Sequence, residues 1–197
     1  TARGGNGNGK AEAKPQRALV PVGINGLGML QPSHLAEAIE VAKIIAHSGI
    51  VPKQFEGNPG AVLVAIQHGA EIGLPPMASL QGIAVINGRP TIWGDAMLAV
   101  VRGHRECEDV VESFDTKTMT ATCTVKRDNC SPVTRTFDQN DAKTAGLWGK
   151  QGPWTQYPKR MLQMRARAFA LRDAFPDALR GVHCAEEIRD IVDATPD

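Results

Sequence analysis

The chain has 197 residues, 42% of them hydrophobic, and a formal net charge of +1. That length supports one domain with a proper core rather than two. No apolar run approaches the ~20 residues that span a bilayer, and a total charge this close to zero does not announce a nucleic-acid binder, so any such role must rest on where the charge lies.

Thr1–Gly9 lacks the apolar stretch of a signal peptide. Cys107, Cys123, Cys130 and Cys184 form no Cys-x-x-Cys pair, and no His stands at zinc-finger spacing from two of them. Reduced thiols in a cytoplasm are therefore expected. Cys123 and Cys130 are spaced to face each other across a hairpin, but the burial habit of free cysteine favours core or edge packing.

Residues 1–32 read as a flexible N-terminal arm, because the Gly/Asn-rich start and then Pro15, Pro21, Gly23, Gly26 and Gly28 interrupt any period. Ser33 is placed to cap a helix whose stripe is Leu35, Ala38, Ile39, Ala42, Ile45 and Ala46, ended by Gly49 and Pro52. Asn58 and Pro59 signal a second helix running to Gly73. It is apolar nearly all round, so burial is expected, and Gly69 suggests a neighbour packed close. Pro75-Pro76 prevents its continuation.

Asn87-Gly88 between Ile83–Ile86 and Arg89–Ile92 is a strong hairpin signal, since both turn positions need positive φ. Pro90 marks the second strand as short or at an edge. Asp95 opens a helix through Val101. In residues 107–137, Met119, Ala121, Cys123 and Val125 alternate with threonines, a period of two. With Val110–Phe114 before and Val133–Phe137 after, this predicts a three-stranded antiparallel meander. Asp138 caps a short helix to Gly146, and Pro158 starts a long one that ends near Phe175-Pro176. The tail from Ala185 is acidic and reads as a peripheral helix. The fold class is α+β: a hairpin and a three-stranded meander packed with helices, one of them long and basic.

The charge is concentrated in one place. From Lys150 to Arg180 there are seven positive residues against Asp173 and Asp177. At about 100° per residue, Met161, Met164, Ala168, Leu171 and Phe175 form an apolar seam along the long helix. Arg165 and Arg172 lie on one shoulder of it, and Lys159, Arg160 and Arg167 on the other. Such a helix can dock on a sheet while presenting guanidinium groups to phosphates. Trp148, Trp154 and Tyr157 precede it, and aromatics beside a basic groove suit base stacking. A basic face paired with carboxylates, and tryptophans that serve as core anchors, are the competing reading of the same residues.

The run Gly152-Pro153-Trp154-Thr155-Gln156-Tyr157-Pro158-Lys159-Arg160-Met161-Leu162, continuing to Phe175-Pro176, resembles the signature of phage single-strand annealing proteins of the RecT and Red beta superfamily. Upstream, Gly69-Ala70-Glu71-Ile72-Gly73-Leu74-Pro75-Pro76, the Val85–Ile92 hairpin and Gly94-Asp95 are similar to the Gly-Leu-x-Pro helix end and following strands of that family. Ala185-Glu186-Glu187 falls where the Red beta-like core ends in an acidic helix. The match runs over about residues 55–195 in order. It implies an annealing core over residues 33–181 and an acidic C-terminal segment over 182–197.

The resemblance further implies a recombinase with no covalent catalytic site, no cofactor and no metal. Subunits would assemble into a ring or helical filament, hold single-stranded DNA in a shared positive groove, and promote ATP-independent annealing in homologous recombination. Its implied partners are a phage exonuclease and a host single-strand binding protein. Lys159, Arg165 and Arg172 match the basic positions that contact phosphates in Red beta-like proteins. Arg160 and Arg167 join them by helix geometry, Lys150 and Arg89 from the loop and hairpin, and Trp154 and Tyr157 as stacking candidates.

Two other classes compete. Asp95, Glu106, Glu108 and Asp109 could gather a metal for a nuclease, although no His-Glu-x-x-His, Gly-x-Ser-x-Gly or phosphate-loop motif is present. A structural ring-forming protein would use the basic helix as a subunit interface, where arginine is enriched.

Overall fold

The computed structural model describes residues 23–24 and 30–192. The arm expected over residues 1–32 and the last acidic residues of the tail lie largely outside them. The chain divides into two units, residues 1–38 and 39–197. In the first, β1 (Gly23–Ile24) pairs antiparallel with β2 (Leu30–Gln31). The helix α1 (Leu35–Ala46) starts in this unit. Ser33 serves its first turn through the backbone, its N–H donating to Glu37 Oε2 at 2.7 Å.

In the second unit, Ala42 and Ala46 of α1 pack with Phe55, Val62, Ala65 and Leu80 in a small core. Phe55 closes a single 3-10 turn, Lys53–Phe55. The helix α2 (Pro59–Glu71) begins as its sequence predicts: Asn58 Oδ1 accepts from the Ala61 N–H at 3.0 Å, with Pro59 at the first helical position. Its expected burial holds on one side only, since Val64 is exposed. Pro75-Pro76 does more than end α2: it opens a further short helix, α3 (Pro76–Gly82), that periodicity did not reveal. Gly69 explains how closely the two pack. A Cβ there would stand 1.9 Å from Ser79 Oγ.

The strands β3 (Ile83–Ile86) and β4 (Arg89–Ile92) form the predicted hairpin, with Asn87 and Gly88 both at positive φ. Its two outer edges are partly occupied. The Gln54 side chain donates to Ile83 O at 2.8 Å and accepts from the Val85 N–H at 3.1 Å. On the other side the Ile92 N–H donates to His183 O at 2.9 Å. The helix α4 (Gly94–Arg102) follows, one residue earlier than Asp95 suggested.

The meander is β5 (Cys107–Asp115), β6 (Thr120–Arg127) and β7 (Val133–Asp138), in that order across the sheet. Ala121, Cys123 and Val125 are fully buried on one face, as the alternation requires. Met119 does not belong to that alternation: it sits in the turn at φ 52°, and the strand begins one residue later. Asp138 then caps α5 (Gln139–Thr144) in a reciprocal capping box with Asp141.

A four-residue turn of helix, α6 (Pro153–Gln156), leads into α7 (Pro158–Ala174), the long helix expected from Pro158. It lies on the buried face of the meander, with Leu162, Ala166, Ala170 and Leu171 inside the main core. Each buried leucine there contributes roughly 1.5–3 kcal/mol. The chain continues through α8 (Pro176–Leu179) to α9 (Ala185–Val192). The α+β class is thus observed: a hairpin and a three-stranded antiparallel sheet with helices. Among the described residues, no helix is long and apolar enough to cross a membrane.

Candidate nucleic-acid interface

Periodicity places the arginines of α7 on two shoulders, and the structure keeps that division. It also buries one arginine on each. Arg167, 3% exposed, donates from Nε and Nη2 to the two carboxylate oxygens of Glu112 on β5, at 2.8 and 2.6 Å, and from Nη1 to Asp95 Oδ1 on α4 at 2.6 Å. Arg160 shares that Asp95 oxygen at 2.6 Å but is itself exposed. Burial opposes ionisation of Asp95, yet hydrogen bonds from Arg167 and Arg160 outweigh it and hold the carboxyl below its usual range. Burial likewise works against the charge on Arg167, and its carboxylate partners more than restore it. This shoulder ties α7 to α4 and β5.

The other shoulder meets α9. Arg165, 8% exposed, donates from Nη2 to Asp190 Oδ2 at 2.6 Å, and its Nη1 lies 3.9 Å from Glu187 Oε1. Arg172, only partly covered, pairs with both oxygens of Glu187. Trp154, 2% exposed, donates from Nε1 to both oxygens of Asp190 at 3.0 Å. Lys150 donates to the Asp190 backbone carbonyl at 3.1 Å.

These contacts correct two expectations. The acidic tail is not peripheral, because Glu187 and Asp190 are buried against α7. The basic shoulders do not present Arg165 and Arg167 to solvent, because burying a guanidinium requires a carboxylate beside it. Trp154 has no open face on which a base could stack in this arrangement. Sequence reasoning missed the partners Asp95, Glu112, Glu187 and Asp190. One signal was available: Glu187 and Asp190 are three apart, and Arg165 and Arg172 seven apart, so each pair shares a helix face.

What remains open is the head of α7. Lys159, Arg160 and Gln163 face Glu112, Ser113 and Phe114 of β5 across an open groove of about 420 Å³. Lys159 Nζ stands 5.8 Å from the centre of the Phe114 ring. Tyr157, between α6 and α7, is 66% exposed. Glu112 lines the groove, but both of its oxygens are engaged by Arg167. Arg89 is exposed at the hairpin, apart from the residues that line this groove.

No protein-family model matches the chain, and no curated protein matches it at a significant level. The four carboxylates expected to serve a metal are engaged separately: Glu106 with Arg127, Glu108 with Lys126, Asp95 with Arg160 and Arg167, and Asp109 with the Val110 N–H. Among the described residues, no group of three or more His, Cys, Asp or Glu side chains gathers to hold an ion. The cysteines are free, with Cys123 and Cys184 buried, Cys107 half-buried and Cys130 exposed.

Proposed function

We propose that this chain binds single-stranded DNA and promotes ATP-independent annealing of complementary strands in homologous recombination, acting as a homo-oligomer of the RecT and Red beta kind. The observation that supports this best is the groove at the head of α7. There Lys159 and Arg160 stand beside the ring of Phe114, and Tyr157, just before α7 in the chain, is exposed. Cations neutralise a phosphate chain without reading sequence, and an exposed ring adds stacking of roughly 1–3 kcal/mol per base. Sequence checking is left to Watson–Crick pairing. An exonuclease that produces the single strand and a host single-strand binding protein are the partners this role calls for.

The rival structural reading makes the basic helix a subunit interface. Arg165 and Arg167 speak against its use in that way, since both are buried against carboxylates of their own chain. The deciding experiment follows two complementary labelled oligonucleotides at low and moderate salt, without nucleotide, with particle size measured in parallel. Accelerated annealing with large assemblies is expected, and Lys159→Ala with Arg160→Ala should weaken binding to every sequence alike. Each lost phosphate contact should make the salt slope shallower by about 0.7. No binding and no acceleration would overturn the reading.

A further inference from the structure

The way α9 is docked is unusual for a helix on a protein surface. Its buried described side chains are Ala185, Glu187 and Asp190. A helix ordinarily turns an apolar stripe inward and its charges outward. Here two carboxylates meet Arg165, Arg172, Trp154 and Lys150, while Glu186 accepts from the Gly94 N–H at 3.1 and 3.2 Å and Arg189 stands 5.9 Å from the Trp93 ring.

The two buried arginines of α7 are not served alike. Arg167 has a carboxylate partner for Nε and for both terminal nitrogens. Among the described residues, Arg165 has one hydrogen bond, to Asp190, and one looser ion contact at 3.9 Å, while its buried Nε–H has no partner. An unmet buried donor on a charged group is costly, and native proteins rarely leave one without a use. Arg167 is therefore a finished structural joint. Arg165 is a guanidinium with capacity for another acceptor.

Carboxylate and phosphate present oxygens to a guanidinium fork in the same geometry, and phosphate brings more of them. We propose that α9 is an acidic gate: Glu187 and Asp190 occupy, on Arg165 and Arg172, the places that backbone phosphates take, and a single strand displaces the helix to reach them. This rests on reading the chain as a single-stranded DNA-binding protein, and it assigns that activity a second, covered surface on the side of α7 away from the open groove. The contacts that tie α9 to Arg165 and Arg172 are ionic and hydrogen-bonded, which are the contacts a polyanion competes for.

The test uses the full chain and oligo-dT. Hydrogen exchange is followed at residues 185–191 with and without oligonucleotide, and affinity is compared between the unaltered protein and Glu187→Gln with Asp190→Asn. The gate requires exchange in α9 to rise on binding. It also requires the double variant to bind more tightly, by about tenfold if the closed state predominates about ten to one. Binding that leaves α9 protected overturns the gate and spares the groove. Binding by the variant alone supports the gate and overturns the open groove, which the parent already exposes, and binding by neither overturns both. Should the variant fail to fold, exchange on the unaltered chain decides.

Discussion

Arg165 and Asp190 lie 25 residues apart in the chain and meet at 2.6 Å, both nearly out of contact with water. Taking two charges out of solvent costs several kcal/mol per ion before any attraction is counted. Such a pair adds little net stability, but losing one member leaves the other stranded. The basic helix therefore divides into arginines whose loss damages the fold and cations whose loss leaves it intact.

Arg167→Ala should lower stability by about 3 kcal/mol or more, because it strands Glu112 in a half-buried site. Arg167→Lys should recover little of this, since a lysine cannot reproduce the two-pronged contact with Glu112. Lys159→Ala, at an exposed position, should stay within about 0.5 kcal/mol of the parent. Urea unfolding of the three variants gives the comparison, and equal losses in Arg167→Ala and Lys159→Ala would contradict the division.

Gly69→Ala tests the α2–α3 joint. The new methyl would meet Ser79 Oγ at 1.9 Å and Ser79 Cβ at 2.4 Å. Ser79 is fully buried and its hydroxyl donates to Pro75 O at 2.9 Å, so it has little room to move. Overpacking of this kind costs about 1–3 kcal/mol. A melting temperature unchanged from the parent would show that the two helices can part.

Acid should weaken the anchor at the end of α7. Arg127 donates to both oxygens of Asp177 at 2.7 and 2.8 Å, which lowers the Asp177 carboxyl to about 2 from 3.8. A carboxyl depressed in the native state contributes stability that is fully present above its unfolded value and is lost as pH falls through the folded one. The window is therefore pH about 4 down to 2. Asp177→Asn should be less stable than the parent at neutral pH and should change less across that window. The contribution is modest because the pair is half exposed. Parallel curves for the two proteins would remove Asp177 from the acid response.

Thiol reactivity should follow burial. Burial pushes the Cys123 thiol up to about 12, and burial with the adjacent Glu186 raises Cys184 further. Only the thiolate reacts readily. Exposed Cys130 should be alkylated first in the folded protein, with Cys123 and Cys184 modified only on unfolding. Mass-mapped alkylation over time reads this out, and early labelling of Cys123 would mean that the sheet opens from α7.

Local chemistry was legible in the sequence wherever one residue type has one structural use. Asn58-Pro59, Asn87-Gly88 and Asp138 each announced a cap or turn, and the threonine alternation of β6 announced its buried face. The candidate site was only half legible. Spacing put Arg165 with Arg172 and Arg160 with Arg167, but spacing within one helix says nothing about what another element brings to it. Glu112 sits in a strand where its neighbours are exposed, and Asp190 lies in a segment whose composition reads as solvated. Both are drawn inward by a guanidinium far away in the chain, a tertiary choice that local pattern does not carry. The short helix α3 was hidden because Pro76 both stops one helix and suits the first turn of the next.

The order of elements along the chain also sets an order of assembly. β5, β6 and β7 follow one another and pair as neighbours, so the loops closed in forming the sheet are short, and α7 covers it after the intervening α5 and α6. That block is suited to be the folding nucleus, with φ-values of roughly 0.5–0.8 in β6 and the middle of α7. α9 can dock only after α7 exists to receive Glu187 and Asp190, and values near zero are expected there. The segment that closes the basic face is thus the last to join the fold, and it is placed to be the first to leave.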